Sequence, residues 1–315
     1  MACLTSLVEP LRAANEIVMR PVFAWTLLSE RASQVSSSAN IGFEVDASLR
    51  NAVDLDAILL LGAPTSRFVD EAAGHAALHD RARRRVTLGG ISGGVFPLVR
   101  SGVMAGRPVS VHWCYDAAFR ATFPDAQVSD EVIVSGRGRH TVSGAGAAFD
   151  LGLRLIEERL NAEVAHEVAC WFQHPQMRGE GVRQRVPLVA APDGQDDLPD
   201  LVRICIARMA QDLEAPVSVA DLARHVGVTS RQVGRAFVRA TGQSPSRYYR
   251  GMRMKAARQM VLHSRDLVAD IAAAVGYGSP AAMAPHYRAA FGCSPAEDRA
   301  RINRYRVEGN VSVPS

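Results

Sequence analysis

Residues 219–245 read VADLARHVGVTSRQVGRAFVRATGQSP, and residues 268–295 read VADIAAAVGYGSPAAMAPHYRAAFGCSP. Val219-Ala220-Asp221-Leu222-Ala223 followed by Val226-Gly227 returns as Val268-Ala269-Asp270-Ile271-Ala272 followed by Val275-Gly276. One residue is inserted in the turn, and the register then continues. Phe237 matches Tyr287, Gly242 matches Gly292, and Ser244-Pro245 matches Ser294-Pro295. A unit that recurs in this way is one supersecondary element used twice.

Each copy has the chemistry of a helix-turn-helix. In the first, Ser218 is placed to cap a helix running to His225, with Asp221 as the capping-box acid. Ala223 is small enough for close helix approach, Gly227 permits the turn, and Val233 packs the second helix down. Thr229 caps that second helix, with Gln232 completing its box. Its outward residues are Ser230, Arg231, Gln232, Arg235 and Arg239. Arginine can hold guanine O6 and N7, and glutamine adenine N6 and N7, so this helix suits a major groove.

The second copy opens on Ser279-Pro280, a cap followed by a first-turn proline. Its outward positions become Ala281, Ala282 and Pro285, which leaves Ser279, His286 and Arg288 as polar candidates. Pro285 is predicted to kink or shorten the helix. The first unit is therefore expected to supply most base readout, and the second mainly shape and phosphate contacts. Between them, residues 244–264 are predicted to form one helix with Tyr248, Met252, Ala256, Met260 and Val261 on its apolar stripe. Some 20 residues at ~1.5 Å each span about 30 Å. That is close to the ~34 Å between successive major-groove faces on one side of a duplex.

Charge supports the division of labour. Residues 1–199 hold 19 Arg against 23 Asp and Glu, whereas residues 200–306 hold 17 Lys and Arg against 8 acids. Only the last third is equipped to meet a polyanion. The 48% apolar and 22% charged composition excludes a disordered or fibrous chain. No apolar run is long enough to span a bilayer, and no secretory leader is visible, so no membrane partner and a cytoplasmic location are expected. The five cysteines are scattered without CxxC spacing, which argues against a disulfide framework, a metal site or a cofactor site built on them. All five, with Trp25 and Trp171, are assigned to the core.

Residues 200 to about 301 resemble the DNA-binding domain of AraC/XylS transcriptional regulators, through Gly276-Tyr277, Ser279-Pro280, Phe291-Gly292 and Ser294-Pro295. Met283 stands where that family usually has an aromatic residue, and Pro285 where it has a basic one. The resemblance implies promoter DNA and RNA polymerase as partners.

Upstream, short apolar runs at 23–28, 57–61, 85–91, 109–111 and 132–134 alternate with helical stretches at 4–19, 95–100, 113–121 and 147–160. Buried strands alternating with helices predict an α/β domain with a mostly parallel sheet flanked by helices. Such sheets usually open on a strand, and this chain opens on a helix, so either its start is late or one strand is lacking. Residues 178–199, rich in Gly, Pro and charge, read as a linker. The expected layout is a domain over 1–177, this linker, an all-α DNA-binding domain over 200–301 and a tail over 302–315. The arginines at 81 and 83–85 read as a solvated helix end.

Gly89-Gly90-Ile91-Ser92-Gly93-Gly94 follows an apolar strand and precedes a helix, and its GxSxG pattern is that of a nucleophile elbow. A hydrolase would use Ser92 with His112, His140, His166 or His174 as base, but no triad order is evident. Residues 4–175 resemble the class I glutamine-amidotransferase-like domain of the intracellular-protease (PfpI) type that is fused to many AraC-type regulators. Residues 8–15 (VEPLRAAN), the elbow and TVSGAGAAFDLGLRL at 141–155 carry that likeness. In enzymatic relatives the elbow residue is Cys, which ionises far more readily than Ser. The resemblance therefore implies a ligand sensor without catalysis, in which Glu9 faces the elbow.

The expected pocket lies at the carboxyl ends of the strands. Ser92 and Glu9 would line it, the N–H groups of Gly93 and Gly94 would take an anion, and His112 and Trp113 would close it. The resemblance implies a small amino acid or a quaternary amine such as betaine or carnitine as effector, and a homodimer. Two other readings stay open. One is a Ser92-dependent hydrolase or amidase with a DNA-binding appendage; the other is a ligand-independent DNA binder whose first domain only dimerises.

Overall fold

Helix α1 (Ala2–Ile17) buries Leu7, Leu11, Ala13 and Ala14, and the side chain of Asn15 ties down the chain that follows it. Its Oδ1 accepts from the amides of Val22 and Phe23, and its Nδ2 donates to the Phe23 carbonyl. Of the run at 23–28, consequently, only Leu28 enters a strand. Phe23 packs beside α1, and its backbone is satisfied by one side chain instead of a ladder. In this computed structural model the described residues are 1–305 except 32, 53, 65, 175–176, 179–180, 185–197 and 265.

Short strands β1 (Leu28–Ser29), β2 (Gln34–Ser36), β3 (Gly42–Glu44) and β4 (Ala47–Ser48) come next. There follow β5 (Ala57–Gly62), α2 (Glu71–Arg83), β6 (Thr87–Ser92), α3 (Val95–Arg100), β7 (Val109–Ser110), α4 (Asp116–Thr122) and β8 (Val128–Ser129). The unit closes with β9 (Ile133–Gly136), β10 (Arg139–Val142), α5 (Ala145–Arg159) and α6 (Ala162–Trp171). The main sheet has the order β5-β6-β10-β9, parallel except for the β9–β10 hairpin. Leu88 turns from β6 into one core with Leu78, Phe96 and Phe119. Ile91 turns the opposite way, into a core with Leu7, Val142 and Leu151. This is the α/β fold expected, with hydrophobic layers on both faces. Arg83, Arg84 and Arg85 are exposed at the end of α2 as read, and Arg83 and Arg84 pair with Asp80, whereas Arg81 is half-buried and donates to the Ala52 carbonyl.

Five core assignments are corrected. Trp25 and Trp171 are 43% and 53% exposed, and Cys170 is exposed as well. An apolar side chain need not be inside, because a folded surface remains more than half apolar. Cys3 and Cys114 are only partly buried, which leaves Cys205 and Cys293 as core thiols.

The chain divides after Gln184 into a second compact unit. The linker expected from residue 178 therefore starts later. The amide of Gly181 donates to Glu131, the amide of Val132 donates to the Val182 carbonyl, and that of Gln184 donates to the Asp130 carbonyl. Residues 185–197 of the expected linker, and 306–315 of the expected tail, lie outside the described residues.

The second unit contains α7 (Asp200–Gln211), α8 (Val219–His225), α9 (Ser230–Thr241), α10 (Pro245–His263), α11 (Val268–Ala274), α12 (Pro280–Phe291) and α13 (Pro295–Tyr305). Residues 302–305, assigned to a tail, continue α13 instead. Val202, Met209, Leu222, Val233, Phe237 and Tyr248 form the first half's core. Gly227 and Gly276 both adopt left-handed φ, 70° and 73°, and the turns they make are equivalent. The amides of Val228 and Tyr277 reach the carbonyls of Ala223 and Ala272, five residues back in each copy. The second half is held by polar contacts inside it. Asp298 is 4% exposed and accepts from Arg258 Nε (2.7 Å) and Nη2 (3.2 Å) and from the Tyr287 hydroxyl (2.9 Å). Buried Arg299 donates to the carbonyls of Val261 and Asp266.

Candidate functional site

Two sites emerge, one in each unit. In the DNA-binding unit, both capping boxes form. Ser218 and Asp221 cap α8 reciprocally, as do Thr229 and Gln232 on α9. Val233, Phe237 and Thr241 anchor α9 on its inner side, so its outer side presents Ser230, Arg231, Gln232, Arg235 and Arg239, all exposed. Arg231, Arg235 and Arg239 follow at intervals of four and so lie along one face. Among the described residues none of the three is ion-paired. Gln232 is partly committed, because its Oε1 accepts from the Thr229 amide and hydroxyl. Only its amide NH₂ is spare. Val238, 53% exposed, joins the arginine face and was missed by sequence reasoning. The signal was available: it is an apolar residue off the Val233–Phe237 stripe.

Helix α10 carries 19 residues, about 28 Å of rise, as one uninterrupted rod between the two units. Helix α12 is not shortened by Pro285, contrary to expectation; it has the same 12 residues as α9. The carbonyl that loses a partner belongs to exposed Ala281 near the helix start, where water can satisfy it. Ser279 caps α12 by accepting from the Ala282 amide, and Arg288 is exposed. His286 is half-buried against Tyr277, with ring centroids 5.7 Å apart. Tyr277 is in turn covered by Arg253, whose guanidinium carbon lies 4.3 Å from the ring centroid.

In the first unit the elbow is sharp, as predicted. Ser92 holds a left-handed φ of 56°, a strained conformation for this residue. Its hydroxyl is hydrogen-bonded to Tyr115, which also meets Cys114 and lies near Cys3. Burial pushes the Tyr115 phenol and the Cys114 thiol up to about 12 each, so both are neutral at physiological pH. These neighbours come from other elements, and no local motif announces them.

Glu9 is engaged within its own helix. Its carboxylate accepts from Arg12 Nε at 2.9 Å along α1. Gly94 has no spare N–H either, because its amide donates to the Ile91 carbonyl at 3.0 Å. Both glycines allow close approach of the backbone. A Cβ on Gly93 would stand 2.2 Å from the Ala63 carbonyl carbon, and one on Gly94 would stand 1.9 Å from the Leu60 oxygen. His112 and Trp113, both partly buried, have ring centroids 5.4 Å apart, and His112 lies 5.5 Å from the Tyr115 ring. Gln184 grips the same segment, accepting from the Trp113 amide (2.9 Å) and donating to the Val111 carbonyl (2.8 Å).

Each histidine considered as a base is engaged elsewhere. His112 Nδ1 accepts from the Cys114 amide, His140 contacts Ser135, His166 contacts Cys170, and His174 contacts Asp150. Among the described residues none is hydrogen-bonded to Ser92. Burial lowers the pKa of both His112 and His140 below the usual ~6.5. The unfolded chain then binds protons that the folded rings refuse, so stability is complete above that value and falls as the pH drops below it. Thermal unfolding is expected to move to lower temperature between about pH 7 and pH 5. A His112→Asn, His140→Asn double variant should show a shallower decline, and an unchanged slope would contradict this account.

An α/β unit with a serine elbow, joined to paired helix-turn-helix units, defines a two-domain DNA-binding regulator. A helix-turn-helix domain family matches residues 222–301. The transcriptional regulator GbdR of Pseudomonas aeruginosa is 32% identical over 297 residues, covering 94% of this chain and 80% of its own. The regulator CdhR of the same species is 32% identical over 296 residues, covering 94% and 87%. A solved ThiJ/PfpI family protein from Pseudomonas syringae is 18% identical, covers 70% of this chain and 84% of its own, and has a TM-score of 0.44. The chain belongs to the AraC/XylS family of helix-turn-helix transcriptional regulators. No helix among the described residues is long and apolar enough to cross a membrane.

Proposed function

We propose that this regulator works in the cytoplasm as a homodimer that binds promoter DNA and contacts RNA polymerase under the control of a small metabolite. The observation that carries the DNA reading is the capped helix α9 with three exposed arginines on one face, none of them ion-paired among the described residues. Arg231, Arg235 and the spare amide of Gln232 would read base edges, and Arg239 and Ser230 would meet phosphates. Val238 would contact a thymine methyl group. On α12, Ser279, His286 and Arg288 would position the second unit. Arg235→Ala should cost ~1–3 kcal/mol at one base pair, whereas Arg288→Ala should weaken all sequences alike and reduce the salt slope by about 1. Binding to a panel of base-variant upstream duplexes decides this. If Arg235→Ala leaves base preference intact while His286→Ala and Arg288→Ala abolish it, the roles are reversed.

In the first domain, which we take to end at Gln184, the effector pocket would lie beside Ser92, Tyr115, His112 and Trp113. A quaternary amine or amino acid would set its cation against Trp113. Thermal shifts of the full chain with amino acids and methylated amines test this, and the absence of any shift would favour a purely dimerising domain. The strained Ser92 keeps one further reading in view, a hydrolase. Ester or amide turnover that disappears in Ser92→Ala would establish it.

A further inference from the structure

The first unit carries a concentration of positive charge that neither the elbow nor the DNA reading uses. Arg107, Arg137 and Arg139 line a cleft of about 420 Å³ together with Met104, Val134 and Ser135. Strand β10 runs parallel to β6 with Arg139 beside Leu88, so Arg139 stands where the parallel strands begin, while Ser92 stands where they end. Four residues of strand at ~3.3 Å each put the two about 13 Å apart or more.

Two of the three guanidinium groups are held in place by carbonyl oxygens. Arg139 donates from Nε to Val103 (3.4 Å) and from Nη1 to Gly138 (2.8 Å), and Arg107 Nη1 donates to Gly136 (3.3 Å). Arg107 and Arg139 are half-buried, and Arg137 is exposed on the tight β9–β10 turn. Among the described residues no carboxylate pairs with any of them. Burial, with the neighbouring charge of Arg107, lowers the pKa of Arg139, as expected of cations brought together without an anion. All this lies in the stretch of the chain where acids outnumber bases.

We propose that this cleft is a second ligand site, which binds a small organic oxyanion carrying two or more negative charges. A guanidinium has five donors in a rigid fork that matches carboxylate and phosphate oxygens, and three of them here still have donors to spare. The volume lies within the range of metabolite sites, roughly 300–1,000 Å³, and exceeds what a bare ion would fill. The site would thus report a phosphate ester or a polycarboxylate, independently of whatever occupies the elbow.

The test is calorimetric titration of the full chain, at constant ionic strength, with pyrophosphate and with citrate. At least one should bind, and the tighter of the two says whether the natural ligand is a phosphoryl or a carboxylate compound. Arg107→Gln with Arg139→Gln should weaken that binding more than tenfold. Arg137→Glu, confined to an exposed turn, should do the same without disturbing the fold. Absence of binding by both anions, or equal binding by wild type and the Arg137→Glu chain, overturns the proposal. So does a variant that keeps its anion affinity but loses operator affinity, since the surface would then be a contact to the DNA backbone.

Discussion

Replacing Gly94 by alanine is expected to destabilise the first unit by about 3 kcal/mol or more, the upper range of overpacking effects. The new Cβ would stand 1.9 Å from the Leu60 carbonyl oxygen and 2.5 Å from its carbon. Those are backbone atoms inside the parallel sheet, so no side-chain rotation can relieve the clash. Gly94 itself has an ordinary helical φ of −63°, so the cost is steric rather than conformational. The measurement is direct, because Trp25, Trp113 and Trp171 all belong to this unit and their emission reports it alone. The urea midpoint should fall by about 1 M or more. Gly234→Ala in α9, where a Cβ meets nothing within 4 Å, is the control and should leave that midpoint alone. A Gly94→Ala chain that unfolds with wild-type protein would mean that the elbow does not press on β5.

The second large effect is expected at Asp298. Alanine there removes the acceptor of both Arg258 and Tyr287, leaving a cation and a hydroxyl without their partner inside the fold. Breaking a buried pair from one side costs roughly 3–5 kcal/mol. Arg258 keeps some contact with water at 38% side-chain exposure, so the lower end, about 3 kcal/mol, is expected. The loss should appear in helical circular dichroism and in operator binding, with tryptophan emission unchanged. Arg258→Met combined with Asp298→Leu should recover part of it, because two apolar groups leave no charge stranded. A loss below about 1 kcal/mol for Asp298→Ala alone would assign the hold on α13 to Arg299 instead.

What the sequence made legible was local. Caps, turn glycines and the elbow each depend on residues within a few positions of one another, and all of them formed. The bridging helix and the exposed face of α9 followed from periodicity. What it left hidden needed partners from distant elements. Tyr115 beside Ser92, and Asp298 between Arg258 and Tyr287, join segments with no common motif. The tryptophans went astray because hydrophobicity does not determine location. Pro285 was overrated because a lost hydrogen bond near a wet helix start costs little.

The side chain of Gln184 has a consequence for signalling. It clasps the backbone at Val111 and Trp113, on either side of His112, and it is the last described residue before the passage to the DNA-binding unit. Any occupant that shifted residues 111–113 would tug on this clasp or undo it. A change there would then reach residues 181–184, where the described part of the first unit ends, without crossing the hydrophobic interior.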